Sequence, residues 1–433
     1  MLKLIFAIFI VAASVPRSHS KNVVCYIPRW NSVASFADPS LCTHFLISFG
    51  IPMPDGSVDF GNISEFKRLR TPNSKLLLAI GGADAVSAAN FPQVAANQRG
   101  GFAQNCFNIV RDEGLDGVDI DWEYPSTPED KENFVLMMEE LRNKFGSTYM
   151  LTTAVATTPE RVEEAYDLER LTSLVDFFNL MTYDFHSDES WDEDWTQEEP
   201  RPHYGTYFNA PVIGPGNNVE NGIKLYLYDK NIPAKKLNVG VPFYARVYKL
   251  LDPSKNLPRS ECEIDNQKND NFKPGYNEFC SALTNPSYTK IRDSTTLAPY
   301  MYNSSGFWIS YEDQRSISVK ANLANKYNLG GVMLWALNQD DYEGNCGKSC
   351  TWSLLKTLNY VVGRETSYCF GPPTITTCSS TGIFANPYNC KNMYVCERVG
   401  QLPIKGSCPN NYFFYEVEQR CLYISCIPKF TYV

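Results

Sequence analysis

Asp116-Gly117-Val118-Asp119-Ile120-Asp121-Trp122-Glu123-Tyr124-Pro125 is the stretch of this 433-residue chain that carries the most chemistry. Side chains of a strand alternate between two faces. Asp119, Asp121 and Glu123 therefore share one face, and Val118, Ile120 and Trp122 share the other. Where helices cover such a strand on one side, the apolar set must take that side. Three carboxyl groups then line up on the opposite face. Like charges held that close push protons back on and raise at least one pKa. Such a row costs stability and has no packing role. A solvated acidic loop or a calcium-binding loop would be the plainer account, but the alternation with large apolar residues speaks against both.

Outward from this stretch, between about Val23 and Tyr360, short apolar runs alternate with longer amphipathic ones. The runs are Val23–Tyr26, Thr43–Phe49, Lys75–Ile80, Gly117–Ile120, Met150–Val155, Phe177–Met181, Leu237–Val241 and Gly331–Trp335. Between several of them lie helix-like segments such as Pro128–Phe145, where apolar residues recur at three and four. Strand, helix and strand repeated in this way mean parallel strands with helical crossovers. Eight runs predict an α/β fold, a (β/α)8 TIM barrel. An open doubly wound sheet is the alternative, weakened because no GxGxxG follows the first run. In the barrel the three carboxyls point at the axis. Glu123, last before Pro125, then stands at the C-terminal mouth, where barrels of this kind keep catalytic residues. A carboxyl with a raised pKa there suits a general acid. The rhythm breaks from about 247 to 302, a region rich in Asn, Pro, Lys and Tyr that predicts an α+β insertion subdomain.

The length suits one large domain plus a small one. Residues 1–20 read as a signal peptide: Lys3, then apolar Leu4–Ala13, too short to span a bilayer, then the small residues Ser18 and Ser20. The barrel takes 21–362, a linker 363–376 with Gly371-Pro372-Pro373 as its stiff part, and a small disulfide-rich β domain 377–433. Net charge is −9, which argues against nucleic acid or an anionic membrane as partner. The four histidines, His19, His44, His186 and His203, form no metal-binding pair, so no metal and no cofactor is expected. Fourteen cysteines, crowded toward the end, point to an oxidising compartment and a secreted, extracellular product. A monomer is expected. Asn62 and Asn303 begin N-x-S glycosylation sequences.

The acidic row resembles the D-x-x-D-x-D-x-E signature of glycoside hydrolase family 18, the chitinases and chitinase-like lectins. Further landmarks of that family follow in order over most of residues 23–360. Val24-Cys25-Tyr26-Ile27 and Leu41-Cys42-Thr43-His44-Phe45 resemble its first two strands, and Leu77-Leu78-Ala79-Ile80-Gly81-Gly82 its third. Asn179-Leu180-Met181-Thr182-Tyr183-Asp184 resembles its M-x-Y-D motif. Gly240-Val241-Pro242-Phe243-Tyr244-Ala245-Arg246 and Gly330-Gly331-Val332-Met333-Leu334-Trp335 resemble the last two strands. The resemblance implies endo-acting, substrate-assisted, retaining hydrolysis of β-1,4 bonds between N-acetylglucosamine units. Under it, Glu123 is the acid and later the base, Asp121 orients the acetamido group, Asp119 shares a proton with Asp121, and Tyr183 bonds the acetamido oxygen. Tyr26, Trp30, Phe49, Met181, Asp184, Trp191, Tyr244, Arg246 and Trp335 are the substrate-binding candidates, with Trp335 as a stacking floor. Plainer roles stand beside these: core for Met181 and Trp335, pairing with a carboxylate for Arg246, surface or core for Trp30 and Trp191. Asp116 is expected as a supporting residue near the row. The family pairs the cysteines matching Cys25 with Cys42 and Cys280 with Cys346, which leaves Cys106, Cys262, Cys350 and Cys369 unassigned.

Three positions depart from the family pattern. Ala79 replaces a Ser, Ala245 replaces a Gly, and Ala83-Asp84 stands where many active members carry Trp after the double Gly. A stacking platform is expected to be missing there, weakening binding by about 1 kcal/mol without loss of chemistry. At the C-terminus, Cys378, Cys390, Cys396, Cys408, Cys421 and Cys426 are separated by 11, 5, 11, 12 and 4 residues. A domain this small needs disulfides, and six cysteines allow fifteen pairings. The spacing resembles the peritrophin-A type chitin-binding domain. That resemblance implies Cys378–Cys396, Cys390–Cys426 and Cys408–Cys421. Tyr388, Tyr394, Tyr412, Phe413, Phe414 and Tyr415 are candidate sugar platforms, Phe413 or Tyr415 foremost and Tyr394 equally a core residue. The expected function is a secreted chitinase anchored to chitin by its C-terminal module. The alternative is a chitin-binding lectin, of the type that includes mite allergens, with weak or no hydrolysis. A cuticle or gut-lining protein using only the tail is disfavoured by the barrel motifs.

Overall fold

Each of the eight apolar runs forms one strand of a closed parallel barrel. In the computed structural model, which describes residues 21–30, 32–185, 205–263, 273–346, 350–364, 378, 381–385, 392–409, 413–415 and 420–422, these are β1 (Asn22–Pro28), β2 (His44–Pro52), β3 (Lys75–Gly82), β4 (Gly117–Trp122), β5 (Met150–Val155), β6 (Phe177–Leu180), β7 (Leu237–Pro242) and β8 (Gly331–Trp335). Neighbours in sequence are neighbours in space, and β1 pairs with both β2 and β8, so no edge is left among the eight. Helices cover the outside, so both faces of every strand are out of water. Parallel strands of this kind read as continuous apolar runs.

The alternation along β4 sorts its side chains into two cores. Val118, Ile120 and Trp122 belong to the outer one. Trp122 stacks on Phe91 at 5.2 Å and meets the edge of Phe134 at 5.8 Å. Phe134 lies on the helix Pro128–Phe145, whose apolar residues at spacings of three and four, Phe134, Met137, Met138, Leu141 and Phe145, are buried. Thr127 caps that helix by accepting from the Asp130 amide, and Pro128 and two acidic residues fill its first turn. The inner core is smaller and includes Val24, Tyr26, Leu46, Leu77 and Met333. Where β3 passes β4, Gly81 sits opposite Asp121. A Cβ there would lie 2.0 Å from the Asp121 carbonyl oxygen, at a φ of +116°, so only glycine permits this pairing.

Between β7 and β8 the chain inserts a four-stranded antiparallel sheet, in the order Tyr288–Arg292, Pro299–Asn303, Phe307–Ser310, Arg246–Lys249. It runs past residue 302, because Phe307–Ser310 pairs with Arg246–Lys249 and closes the sheet back on β7. Its core stacks Tyr300 on Trp308 at 4.9 Å, beside Phe208, Tyr248 and Leu250. The helix Gln314–Lys326 follows. On it, Lys320 is fully buried and ion-paired with Glu312.

Disulfides join Cys25 to Cys42, Cys280 to Cys346, Cys378 to Cys396 and Cys408 to Cys421. Cys350 is disulfide-bonded as well, and Cys106 is a buried free thiol. Cys369, Cys390 and Cys426 lie outside the described residues. The C-terminal part holds antiparallel strands Gly382–Ala385, Asn392–Cys396 and Ile404–Ser407, and a pair Phe413–Tyr415 and Arg420–Leu422. Tyr394 is buried there, while Tyr388 and Tyr412 fall outside the description. Asn62 is exposed and Asn303, the last residue of its strand, is half-buried, its side-chain oxygen accepting from the Phe307 amide. Among the described residues no helix is long and apolar enough to cross a membrane.

Candidate active site

β4 delivers its carboxyls from the barrel centre to its mouth. Asp119 is fully buried. It accepts hydrogen bonds from Tyr26 Oη of β1 at 2.6 Å, Thr152 Oγ1 of β5 at 2.5 Å and Asn179 Nδ2 of β6 at 3.2 Å. Burial pushes its pKa up to about 6, and those donors pull against the rise. Asp121 is also buried, and its Oδ1 has no hydrogen-bond partner among the described residues. Burial, then the charges of Glu123 and Asp119, raise it well above the carboxylate range. Glu123 follows the last residue of β4 and is half-buried. Burial pushes it up to about 7; the Asp184 charge adds to the rise, while Tyr124 and Lys273 oppose it. The three groups cannot all ionise at neutral pH, so the row holds protons in common.

Aromatic rings line the space beside the row. Trp335 ends β8, stacks on Phe49 at 5.3 Å and 17°, and meets Tyr26 at 5.5 Å. Met181 is buried in the same inner cluster. Tyr183 points its hydroxyl toward Met333 Sδ at 3.8 Å and meets Tyr244 edge-on at 6.3 Å. Asp184 is gripped by Arg246, with nitrogens at 2.6 and 3.1 Å from Oδ1. Burial would raise the Asp184 pKa, but the charges of Arg246 and Lys273 outweigh it and hold the group below its ordinary value. Trp335→Ala is expected to weaken binding of any ligand that stacks on this ring roughly two- to twelvefold, since stacking of one ring contributes about 0.5–1.5 kcal/mol. A binding titration would check it.

Trp30 lies two residues beyond β1, on the mouth side, and is 65% exposed. Trp191 lies outside the described residues. Asp116 lies just before the row rather than in it, three positions and roughly 10 Å of strand from Asp119. It pairs instead with Arg70 at 2.9 Å and Lys75 at 3.2 Å and accepts from the Leu76 amide, closing the opposite end of the barrel. Ala83 is exposed, and Asp84 caps the helix Ala85–Gln93 by accepting from the Val86 and Ser87 amides, so no ring stands there. Sequence reasoning passed over Thr152 and Asn179 as partners of Asp119. Their signal was a polar side chain at an inward position of an apolar strand. Lys273, 4.0 Å from Asp184, left no signal, because it comes from the irregular insertion.

A closed barrel with a proton-sharing carboxyl row at its C-terminal mouth is a glycosidase-type architecture. Residues 22–340 match Glycosyl hydrolases family 18, and the chain belongs to that family. It is 32% identical over 383 residues to a Drosophila melanogaster protein named probable chitinase 2, covering 78% of this chain and 75% of that one. The crystal structure of Ostrinia furnacalis Group IV chitinase superposes with a TM-score of 0.70 at 31% identity, over 79% of this chain and all of that one. A human pseudo-chitinase with retained chitooligosaccharide binding shares the fold, at a TM-score of 0.69 and 23% identity, over 79% of this chain and all of that one.

Proposed function

We propose that the protein is a secreted endo-chitinase that cleaves β-1,4 bonds between N-acetylglucosamine units with retention of configuration. The observation that carries this is the pairing of Asp121's buried, unsatisfied Oδ1 with a neighbouring Glu123 whose proton is held to about pH 7. A buried carboxylate oxygen without a donor is costly, and an acetamido N–H would satisfy it. Glu123 would protonate the glycosidic oxygen while the acetamido carbonyl oxygen attacks the anomeric carbon. The C1–O bond breaks and an oxazolinium ion forms. Glu123 would then take a proton from water, which attacks the same carbon and reopens the ring. Asp121 and Tyr183 would hold the acetamido group, and Trp335 would floor the sugar. Residues 1–20 would be removed on secretion, and 377–433 would bind chitin, raising the local concentration of the cleft at the polymer.

Only protonated Glu123 can act as the acid. The rate constant kcat/KM is therefore expected to fall as pH rises through about 7, and a pH profile on a soluble oligomer reads this directly. Release of soluble sugar tests the hydrolase reading; binding without release would favour the lectin, the reading that Ala83-Asp84 keeps alive. A chain ending at 364 should lose most of its retention on chitin beads against the full chain while keeping turnover on soluble oligomers. Equal retention would end the anchoring role.

A further inference from the structure

We propose that Lys273 is a positioning residue of this site: from the insertion it clamps Asp184 opposite Arg246 and supplies positive charge to Glu123. The inference rests on Glu123 as the acid. Arg246 occupies Oδ1 of Asp184, and Lys273 Nζ lies 4.0 Å from Oδ2. Two cations, one on each oxygen, resist rotation of the carboxylate about its last bond. The segment carrying Lys273 is sewn to the end of β7. The Ala245 amide donates to the Pro274 carbonyl at 2.9 Å, Gly275 bridges to Tyr244, and the Tyr276 amide donates to the Phe243 carbonyl at 2.8 Å. The lysine is thus placed by backbone bonds, with its side chain about one-third exposed at 34%.

Such a pair, about one-third exposed on both sides, adds little to stability, so its effect should appear in the chemistry. The groups whose charges act around Glu123 come from several elements. Asp119 and Asp121 share its strand, with Tyr124 next to it and Tyr166 and Arg161 beyond. Tyr26 comes from β1, Tyr183 and Asp184 follow β6, and Tyr244 and Arg246 follow β7. Arg161 lies over the Tyr124 ring at 5.3 Å, and Arg246 is bonded to Asp184. Asp184's negative charge favours the protonated form of Glu123, and Lys273 offsets it. Without Lys273, Glu123 would hold its proton to higher pH.

The test is a carboxyl titration of the full chain labelled with carbon-13 glutamate, using Glu123→Gln to assign the Glu123 signal. In Lys273→Met the midpoint should rise by about half a unit or more, below the roughly 1–3 units of a direct opposite-charge contact. In Lys273→Arg it should stay within about half of that shift, because the charge is kept. An unchanged midpoint in Lys273→Met overturns the proposal, as does an equal rise in both variants. If the midpoint moves while wild-type protein releases no sugar, the hydrolase reading fails and only the charge coupling of Lys273 to Glu123 stands. With turnover present, the alkaline limb of the pH profile should move with the midpoint.

Discussion

Glu123→Gln is expected to lower kcat on soluble N-acetylglucosamine oligomers by about 10²–10⁴-fold, the range that a positioned general acid supplies. Binding should change little, because the amide keeps the shape and Trp335, Tyr183 and Asp121 remain. Single-turnover kinetics and a separate binding titration check the split. The same variant should melt higher at pH 8 than the wild type. The sign follows from linkage. Glu123's folded pKa of about 7 lies above its unfolded value, so folding favours the protonated form and stability is lost as pH rises between the two. Removing the charge removes that loss. A variant that loses activity but gains stability at alkaline pH marks a residue kept for chemistry. Loss of both would mean that Glu123 supports the fold.

The largest stability effect is expected at the buried ion pair behind the insertion. Lys320 is fully buried and Glu312 nearly so, and each is pushed toward its neutral form by burial while the other's charge opposes the push. Lys320→Ala should cost about 3–5 kcal/mol at neutral pH, because it leaves one buried charge without its partner. The double change Lys320→Met with Glu312→Leu should recover most of that loss, since two apolar groups replace a desolvated pair. Denaturant unfolding of the three chains measures both. The penalty in Lys320→Ala should shrink as pH falls, because a lone buried Glu312 has a raised folded pKa and is tolerated once protonated. The neighbouring pair, Arg292 to Asp313 at 2.6 Å, lies beside the same junction between sheet and helix. Weakening that junction would loosen the insertion that presents Lys273.

Much of the barrel was legible because its signals are local. Eight apolar runs became eight strands, and Pro128–Phe145 became a helix with those same ends, since Thr127, Pro128 and Gly146 punctuate it. The strand alternation alone put Asp119, Asp121 and Glu123 on one face. Asp116 shows the limit of reading a motif as a point: it belongs to the same stretch but closes the far end of the barrel. The insertion was legible only as a break in rhythm, and its last strand escaped because pairing across a sheet has no mark in linear order.

By itself, then, the chain's order of residues determined the periodicities: which segments are strands, which face of β4 is acidic, and that Glu123 comes last. Closure of the barrel decided the rest. Tyr26, Thr152 and Asn179 meet on Asp119 although Tyr26 and Asn179 lie 153 residues apart. Arg246 and Lys273 reach Asp184 from beyond β7. Periodicity acts over a few residues, whereas these contacts depend on how the ring of strands closes and where an irregular loop is sewn back, and both are set by packing between distant parts of the chain.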